Sequence, residues 1–396
     1  MKWFVLQFLL CSFSFAINPM LDVGILQGQK KVSIGAKYGF QVFNLDANKK
    51  KIFTRWNATP IKIRLTQRGF GFLKKVDYHR IYIKPFKRQN IVVNGKPYRG
   101  TIEIFEDKFG KLTIVNKVDI ESYLYSVIKA EMLITSPIEA LKAQAVVART
   151  YAMKNIDKFR DAYGFGLTAD VRSQVYAGVS SEHPLAIKVV DNTRGLVITY
   201  KKELISTYYH SACGGSTLDS RHWLGKKVEF LKSKSCKWCN AYKNYKWELD
   251  IPYEKLKNLL RLDGKKLKNI DNLQVKNSQD GRLKTLIVNH SSGKISLSGA
   301  KLRKLMGPST MRSTMAFQQE SSSVKITNPD ESAIMDILSR FSKPSNSRVL
   351  SLKGQGFGHG VGLCQWGAKG LAKQKKSFKQ ILQYYYSDVD IVKTYY

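Results

Sequence analysis

Apolar residues recur at every second position through the first third of the chain: Val32 and Ile34; Ile61, Ile63 and Leu65; Ile81 and Ile83; Ile102 and Ile104; Leu112 and Ile114. That period puts one face of a strand in a core and the other in water. Asn94-Gly95 and Gly110 supply turns between strands. At Asp119 the period changes. Ile120, Leu124, Val127 and Ile128 fall on one helical face, with Asp119 placed to cap its start. Ser136-Pro137-Ile138-Glu139 then predicts a second helix, opened by a capping box with proline at its first position. Leu141, Ala145, Ala148 and Ala152 form a small-residue stripe behind it, suited to close packing. Beyond, residues 171–209 read as short strands around a helix near Ala186 to Asn192, and 243–268 as a basic stretch with helical spacing. Strands return over 273–298, a polar, Ser-rich stretch expected to include a mobile loop covers 309–344, and a last helix runs from Ser377, with Gln380 three residues on, to Tyr386. The expected fold class is α+β, with a β-rich region over 17–118 and a mixed region of helices and strands over 119–396.

Charge changes the picture. The chain of 396 residues carries 66 Lys+Arg against 30 Asp+Glu, a net +36. Such a field concentrates anions, which points to nucleic acid, anionic lipid or an acidic wall glycan as partner. The N-terminus selects among these. Met1-Lys2 precedes an apolar run from Trp3 to Ala16 that ends Ser-Phe-Ala. That pattern predicts a secretory signal peptide over 1–16, against the alternative of a buried N-terminal strand. The run is too short to span a bilayer, and no other long apolar stretch follows, so no transmembrane span is expected. Export to the periplasm or the outer side of the cytoplasmic membrane, with no nucleic-acid motif in the chain, argues against a nucleic-acid partner.

Two segments concentrate candidate chemistry. In the first, Glu131 stands where the first helix ends, beside Ala130, Met132, Leu133 and Ile134. The negative end of a helix and apolar neighbours both favour a protonated carboxyl, the form a general acid needs; the alternative is an exposed glutamate paired with Lys129 or Lys142. The second segment is a glycine-dense loop, Gly354 to Ala372, carrying His359, Gln365 and Trp366. Glycines permit close approach of backbone to a ligand, or simply a tight structural turn. Removal of Cys11 with the signal leaves Cys213, Cys236, Cys239 and Cys364. Cys236-Lys-Trp-Cys239 has metal-ligand spacing, and with Cys213 and His222 it would make a closed Cys₃His structural zinc site, with His210 as a substitute for His222. A disulfide from Cys213 to Cys236 or Cys239 is the alternative in an exported chain.

These segments resemble the SpoIID/LytB family of cell-wall proteins. The family carries a helix of the form "YL.gVv..EMP" followed by "EALKAQAVAARTYA". Here stand Tyr123-Leu124, Val127 and Glu131-Met132, then Glu139 through Ala152 almost unaltered. The family's "GHGVGMSQWGA" matches Gly358 to Ala368, with Leu363-Cys364 in place of Met-Ser. His210-Ser211 and Gly214 through Thr217 look like its "HS..GG.T" segment, and Gln174-Val175-Tyr176 and residues 303–313 have counterparts. One departure is that Leu133 replaces the proline after Glu-Met. The resemblance implies a catalytic region over 119–396 forming a glycan groove. It implies lytic transglycosylase activity on peptidoglycan stripped of its stem peptides, with Glu131 acting first as acid and then as base. It also implies substrate contacts from His359, Gln365, Trp366, His210 and Ser211. Arg149 would meet a lactyl carboxylate or pair with a helix neighbour. The LytB side of the family implies a second reading, a non-catalytic glycan binder that enhances a cell-wall amidase. Some family members are thought to carry zinc.

Overall fold

The computed structural model describes residues 18–46, 48–66, 69–71, 79–319 and 348–395. The expected signal segment, 1–16, lies outside them, as does most of the Ser-rich stretch, from 320 to 347. Two compact units result. One holds the described residues up to Thr207 together with those from Val389 onward; the other runs from Tyr208 to Asp388. The class is α+β throughout.

In the first unit, the alternating segments form two sheets. The larger follows the order Leu167–Thr168, Met20–Gln29, Leu112–Asp119, Thr101–Glu106, Arg80–Pro85, Phe40–Asn44 and Lys50–Arg55. The second orders Gly69–Phe70, Ile61–Thr66, Lys31–Gly35, Ile91–Val93 and Lys96–Tyr98. Residues Leu112 through Asn116 are buried in succession, so that strand is covered on both faces rather than one. It ends at Asp119, whose carboxylate accepts the Ser122 N–H (3.1 Å) and caps the Ile120–Glu131 helix. Strand and helix are therefore continuous within one unit.

The second helix, Ile138–Lys154, departs from expectation at its start. Its flanking residue is Pro137, and no side chain caps it. Ser136 instead donates its hydroxyl to the Leu133 carbonyl (2.6 Å), closing the turn after Glu131, so the predicted capping box does not form. The small stripe behaves as expected: Leu141, Ala145, Ala148 and Ala152 are fully buried. The Pro184–Asn192 helix packs on both of these helices.

The second unit has its own core. One sheet orders Lys246–Pro252, Val349–Gln355 and Ala316–Gln318, and another Ile270–Asn277, Leu283–His290 and Gly293–Ser298. Trp247, Leu256, Leu260, Leu286, Leu302 and Leu352 meet there. The basic stretch at 243–268 thus divides into a strand and the Tyr253–Leu262 helix, which buries Leu256 and Leu260 one turn apart. The final helix, Phe378–Tyr385, carries the full capping box between Ser377 and Gln380.

Candidate functional site

Glu131 closes the Ile120–Glu131 helix as a half-buried residue. Its carboxylate accepts the backbone N–H of Val175 at 2.9 Å, which fixes its direction. Beneath it lies Tyr123, wholly buried, whose hydroxyl donates to the Gln174 side-chain oxygen (3.2 Å). Burial, then the nearby charge of Glu131, push the Tyr123 phenol well above its usual pKa, so it stays protonated. Tyr176, its ring tilted 35° to that of Tyr123 with centroids 5.0 Å apart, donates to Asn116 (2.7 Å). Leu133, standing where the family has proline, is exposed. The sequence pattern pointed to the carboxylate; its backbone partner, the Val175 N–H, lies over forty residues away, in the Gln174-Val175-Tyr176 segment that the resemblance also marked.

Arg149 is not placed to meet a ligand. Its side chain is fully buried and forks onto Glu121, Nε to Oε1 at 2.9 Å and Nη2 to Oε2 at 2.7 Å. It also donates to the carbonyls of Leu196 (3.1 Å) and Val190 (3.2 Å). The same pair draws in the Tyr395 hydroxyl, which donates to Glu121 at 2.6 Å. An arginine with this many internal acceptors is an internal tie, which corrects the expectation of a lactyl contact.

In the second unit the glycine-dense loop packs on its own chain. Gly362 (φ +72°) has the Tyr208 carbonyl 2.1 Å from where a Cβ would sit, and Gly360 (φ +86°) has the Arg282 guanidinium 3.0 Å away. The tight-turn alternative is the one observed at these positions. His359 lies partly exposed against Tyr208, His210 and Trp223. Its Nε2–H donates to the Tyr209 carbonyl (2.9 Å), and its Nδ1 accepts the Val361 N–H (3.1 Å). Both ring nitrogens are thereby engaged with backbone in the neutral form, and burial pulls its pKa down to about 4. His210 is buried, with Nδ1 3.2 Å from the Val361 carbonyl and Nε2 without a hydrogen-bond partner among the described residues. Burial holds it neutral as well, well below the usual histidine range. Ser211 gives its carbonyl to the Trp366 N–H (3.1 Å). Gln365 is buried, whereas Trp366 is partly exposed beside Tyr242, 5.4 Å between ring centroids.

The four cysteines come together. The Sγ atoms of Cys213, Cys236, Cys239 and Cys364 all lie within 4.8 Å of one another, and all four residues are buried. Each is a free thiol, so neither expected disulfide is present. The expected fourth ligand, His222, is exposed and stands outside the group; Cys364 takes that place. The parallel pairing of Tyr209–His210 with Leu363–Cys364 is the reason, because it brings residue 364 beside 213 across 151 positions of chain. Cys364 Sγ accepts the N–H groups of Gly367 (3.3 Å) and Cys213 (3.4 Å). Cys213 and Cys239 sulfurs stand 3.5 Å apart. Mutual hydrogen bonding pushes the Cys213 thiol up and the Cys236 and Cys239 thiols down, and burial pushes Cys364 up. Against the cluster lies buried Arg282, donating to the carbonyls of Cys213 (2.8 Å) and Ser216. A tetrahedral Zn²⁺ with Zn–S of about 2.3 Å separates its sulfurs by about 3.8 Å, which fits this spacing. The group is a place where a metal could bind. Sequence reasoning passed over Cys364 because spacing along the chain favoured His222; the even count of cysteines was the available signal.

A family model, SpoIID: Stage II sporulation protein, matches residues 108–200, the segment that contains Glu131 and both central helices. An uncharacterized protein of Brachyspira hyodysenteriae is 28% identical over 96% of this chain and 95% of its own length. Stage II sporulation protein D of Bacillus subtilis is 26% identical over 70% of this chain and 75% of its own. The amidase enhancer of the same species is 28% identical over 75% of this chain but only 44% of its own length. With the Glu-Met helix, the small-residue helix behind it and the glycine-dense loop, the chain is similar to Stage II sporulation protein D and to the amidase enhancer over 70% and 75% of its length, and its residues 108–200 match the SpoIID family model.

Proposed function

We propose that this protein is an exported lytic transglycosylase of peptidoglycan, with Glu131 as its acid and base. The observation that carries the reading is the half-buried Glu131 carboxylate, held in one direction by the Val175 N–H at 2.9 Å. Glu131 in its acid form gives its proton to the glycosidic oxygen between MurNAc and GlcNAc as the C1–O bond breaks. The resulting carboxylate takes the proton of the MurNAc 6-hydroxyl, whose oxygen bonds to C1 and closes a 1,6-anhydro ring. One carboxyl group starts and ends protonated, and no water is consumed. A hydrolase would need a second, separately placed carboxylate. The other carboxylate of the same helix, Glu121, is sealed against Arg149. Denuded MurNAc exposes a lactyl carboxylate at every second sugar, a polyanion suited to a chain of net charge +36.

The cysteine group is read as a structural zinc site. Four protein thiolates leave no open position for substrate, and the donor set suits zinc. Zinc there would tie the segments around 213, 236–239 and 364 together; the residues that handle glycan do so without it.

The relative named amidase enhancer supports a second reading, in which the protein binds glycan and stimulates a wall amidase. Incubation with denuded peptidoglycan, followed by mass spectrometry for anhydro-MurNAc ends, separates the two. Anhydro products from the parent and none from Glu131→Gln support the enzyme. A parent that yields no such products, yet stimulates an amidase as strongly as its Glu131→Gln variant, overturns it.

A further inference from the structure

The second unit carries a groove whose lining includes neither of the loop histidines. It has a volume of about 540 Å³, within the range of ligand sites, and lies between the turn Lys237–Ala241 and the helix Gln365–Lys373. Trp366, Lys369, Gly370 and Lys373 follow at helical spacing and form one wall; Lys237, Trp238 and Asn240 belong to the other. Among the described residues no carboxylate lines the groove. Among the described residues none of the three lysines is in an ion pair.

The arrangement of charge is unusual for an idle surface. Lys369 and Lys373 are one turn apart on the same face, an arrangement in which like charges repel. The Lys369 ammonium rests 3.6 Å from the centroid of the Trp366 ring, which holds it at the groove instead of letting it swing into solvent. Burial, then the charge of Lys373, pull the Lys369 pKa down, so the pair lacks a counter-charge. The Trp238 indole N–H is buried and has no hydrogen-bond partner among the described residues. Both walls are held by the cysteine group: Cys236 and Cys239 flank Trp238, and Cys364 caps the helix that carries Trp366. Gly370 lets Trp238 close on that helix, since a Cβ there would lie 2.2 Å from the indole side chain.

We propose that this groove is a binding site for a carboxylated sugar unit, with Lys237, Lys369 and Lys373 taking the carboxylate and the two tryptophans bounding the ring. Aromatic faces beside cations select a ring that bears an anionic substituent over a bare anion. The identity of the sugar as a lactyl-bearing unit rests on the glycan reading above; the site itself rests on the groove. It would hold substrate at a place other than Glu131 and retain the strand between cleavage events.

The test is calorimetric titration and tryptophan fluorescence with the mature protein carrying Glu131→Gln, which prevents turnover. The probes are a denuded GlcNAc-MurNAc tetrasaccharide, chitotetraose as its uncharged counterpart, and a tetraglutamate peptide. The tetrasaccharide is expected to bind and to change the fluorescence. Adding Lys369→Gln and Lys373→Gln together should weaken it by about tenfold or more, the effect of losing one charge-assisted contact, and leave chitotetraose affinity unchanged. Circular dichroism matching the parent shows that the lysine variant is folded. Unchanged tetrasaccharide affinity in that variant overturns the groove and leaves the catalytic reading standing. Lysine-dependent binding by a parent that makes no anhydro product leaves the groove and overturns the catalytic reading. No tetrasaccharide binding at all, or tighter binding of tetraglutamate lost in the lysine variant, overturns the sugar assignment.

Discussion

Arg149 and Glu121 form a two-pronged ion pair, 2.9 and 2.7 Å, with neither side chain more than 1% exposed. The pair links the first two helices and, through the Tyr395 hydroxyl, the segment that follows the Asp390–Lys393 strand. Breaking a buried pair leaves one charge without compensation, which costs about 3–5 kcal/mol. Arg149→Met should therefore lower the urea midpoint by a corresponding amount, while Arg149→Met with Glu121→Gln recovers part of the loss. Full stability with weakened glycan affinity would instead restore Arg149 as a ligand contact.

Glu131→Asp retracts the carboxylate by one methylene and removes it from the Val175 N–H. Misplacing a catalytic group by about 1 Å costs on the order of a hundredfold in rate, and Glu131→Gln, with no proton to give, should fall to background. Glycan affinity should change little in either. Rates of anhydro-MurNAc release, measured beside binding, check this; equal rates for parent and Glu131→Asp would argue against direct proton transfer by this residue.

Protein purified without chelator should carry about one equivalent of zinc per chain. Cys364→Ser should lose that metal and lower the melting temperature, and His222→Ala should do neither, because His222 stands outside the cluster. Stripping zinc should destabilise the second unit, since binding free energy of a structural metal is folding free energy. Elemental analysis with thermal melts decides it: metal retained in Cys364→Ser but lost in His222→Ala would return the original ligand set.

His359 is neutral in the fold because both ring nitrogens are engaged and burial holds its pKa at about 4, against about 6.5 when unfolded. Between those values the unfolded chain binds the extra proton and the folded chain does not. Stability is thus fully present above about pH 6.5 and falls as pH drops toward 4, by at most about 1.4 kcal/mol per pH unit and by less for a ring that keeps some solvent contact. Buried His210 acts in the same direction. Urea midpoints at pH 7 and pH 5 should differ more for the parent than for His359→Gln. An equal shift in both would mean that the loop histidine is not the sensor.

Period and motif in the chain were enough for local structure. The alternation of Ile81 with Ile83 and of Ile102 with Ile104 marked strands, the change of period at Asp119 marked the strand-to-helix boundary, and Ser377 with Gln380 marked the last cap. These depend on neighbours within a few residues, so the chain alone determines them. The Glu-Met helix was legible for a different reason: a long run of matching residues carried the carboxylate with it. Where two partners compete for one group, near in sequence or far from it, the chain was silent or misleading. Ser136 looked like a cap, but a nearby carbonyl at Leu133 offered its hydroxyl a closer partner. Arg149 looked like a ligand contact until Glu121, 28 positions away, met it inside the core. The cysteine spacing proposed His222, and a parallel strand pair brought Cys364 beside Cys213 across 151 positions of chain instead. Hydrogen bonds, ion pairs and metal-type clusters act over a few ångströms, and only the folded backbone decides which residues fall within that reach.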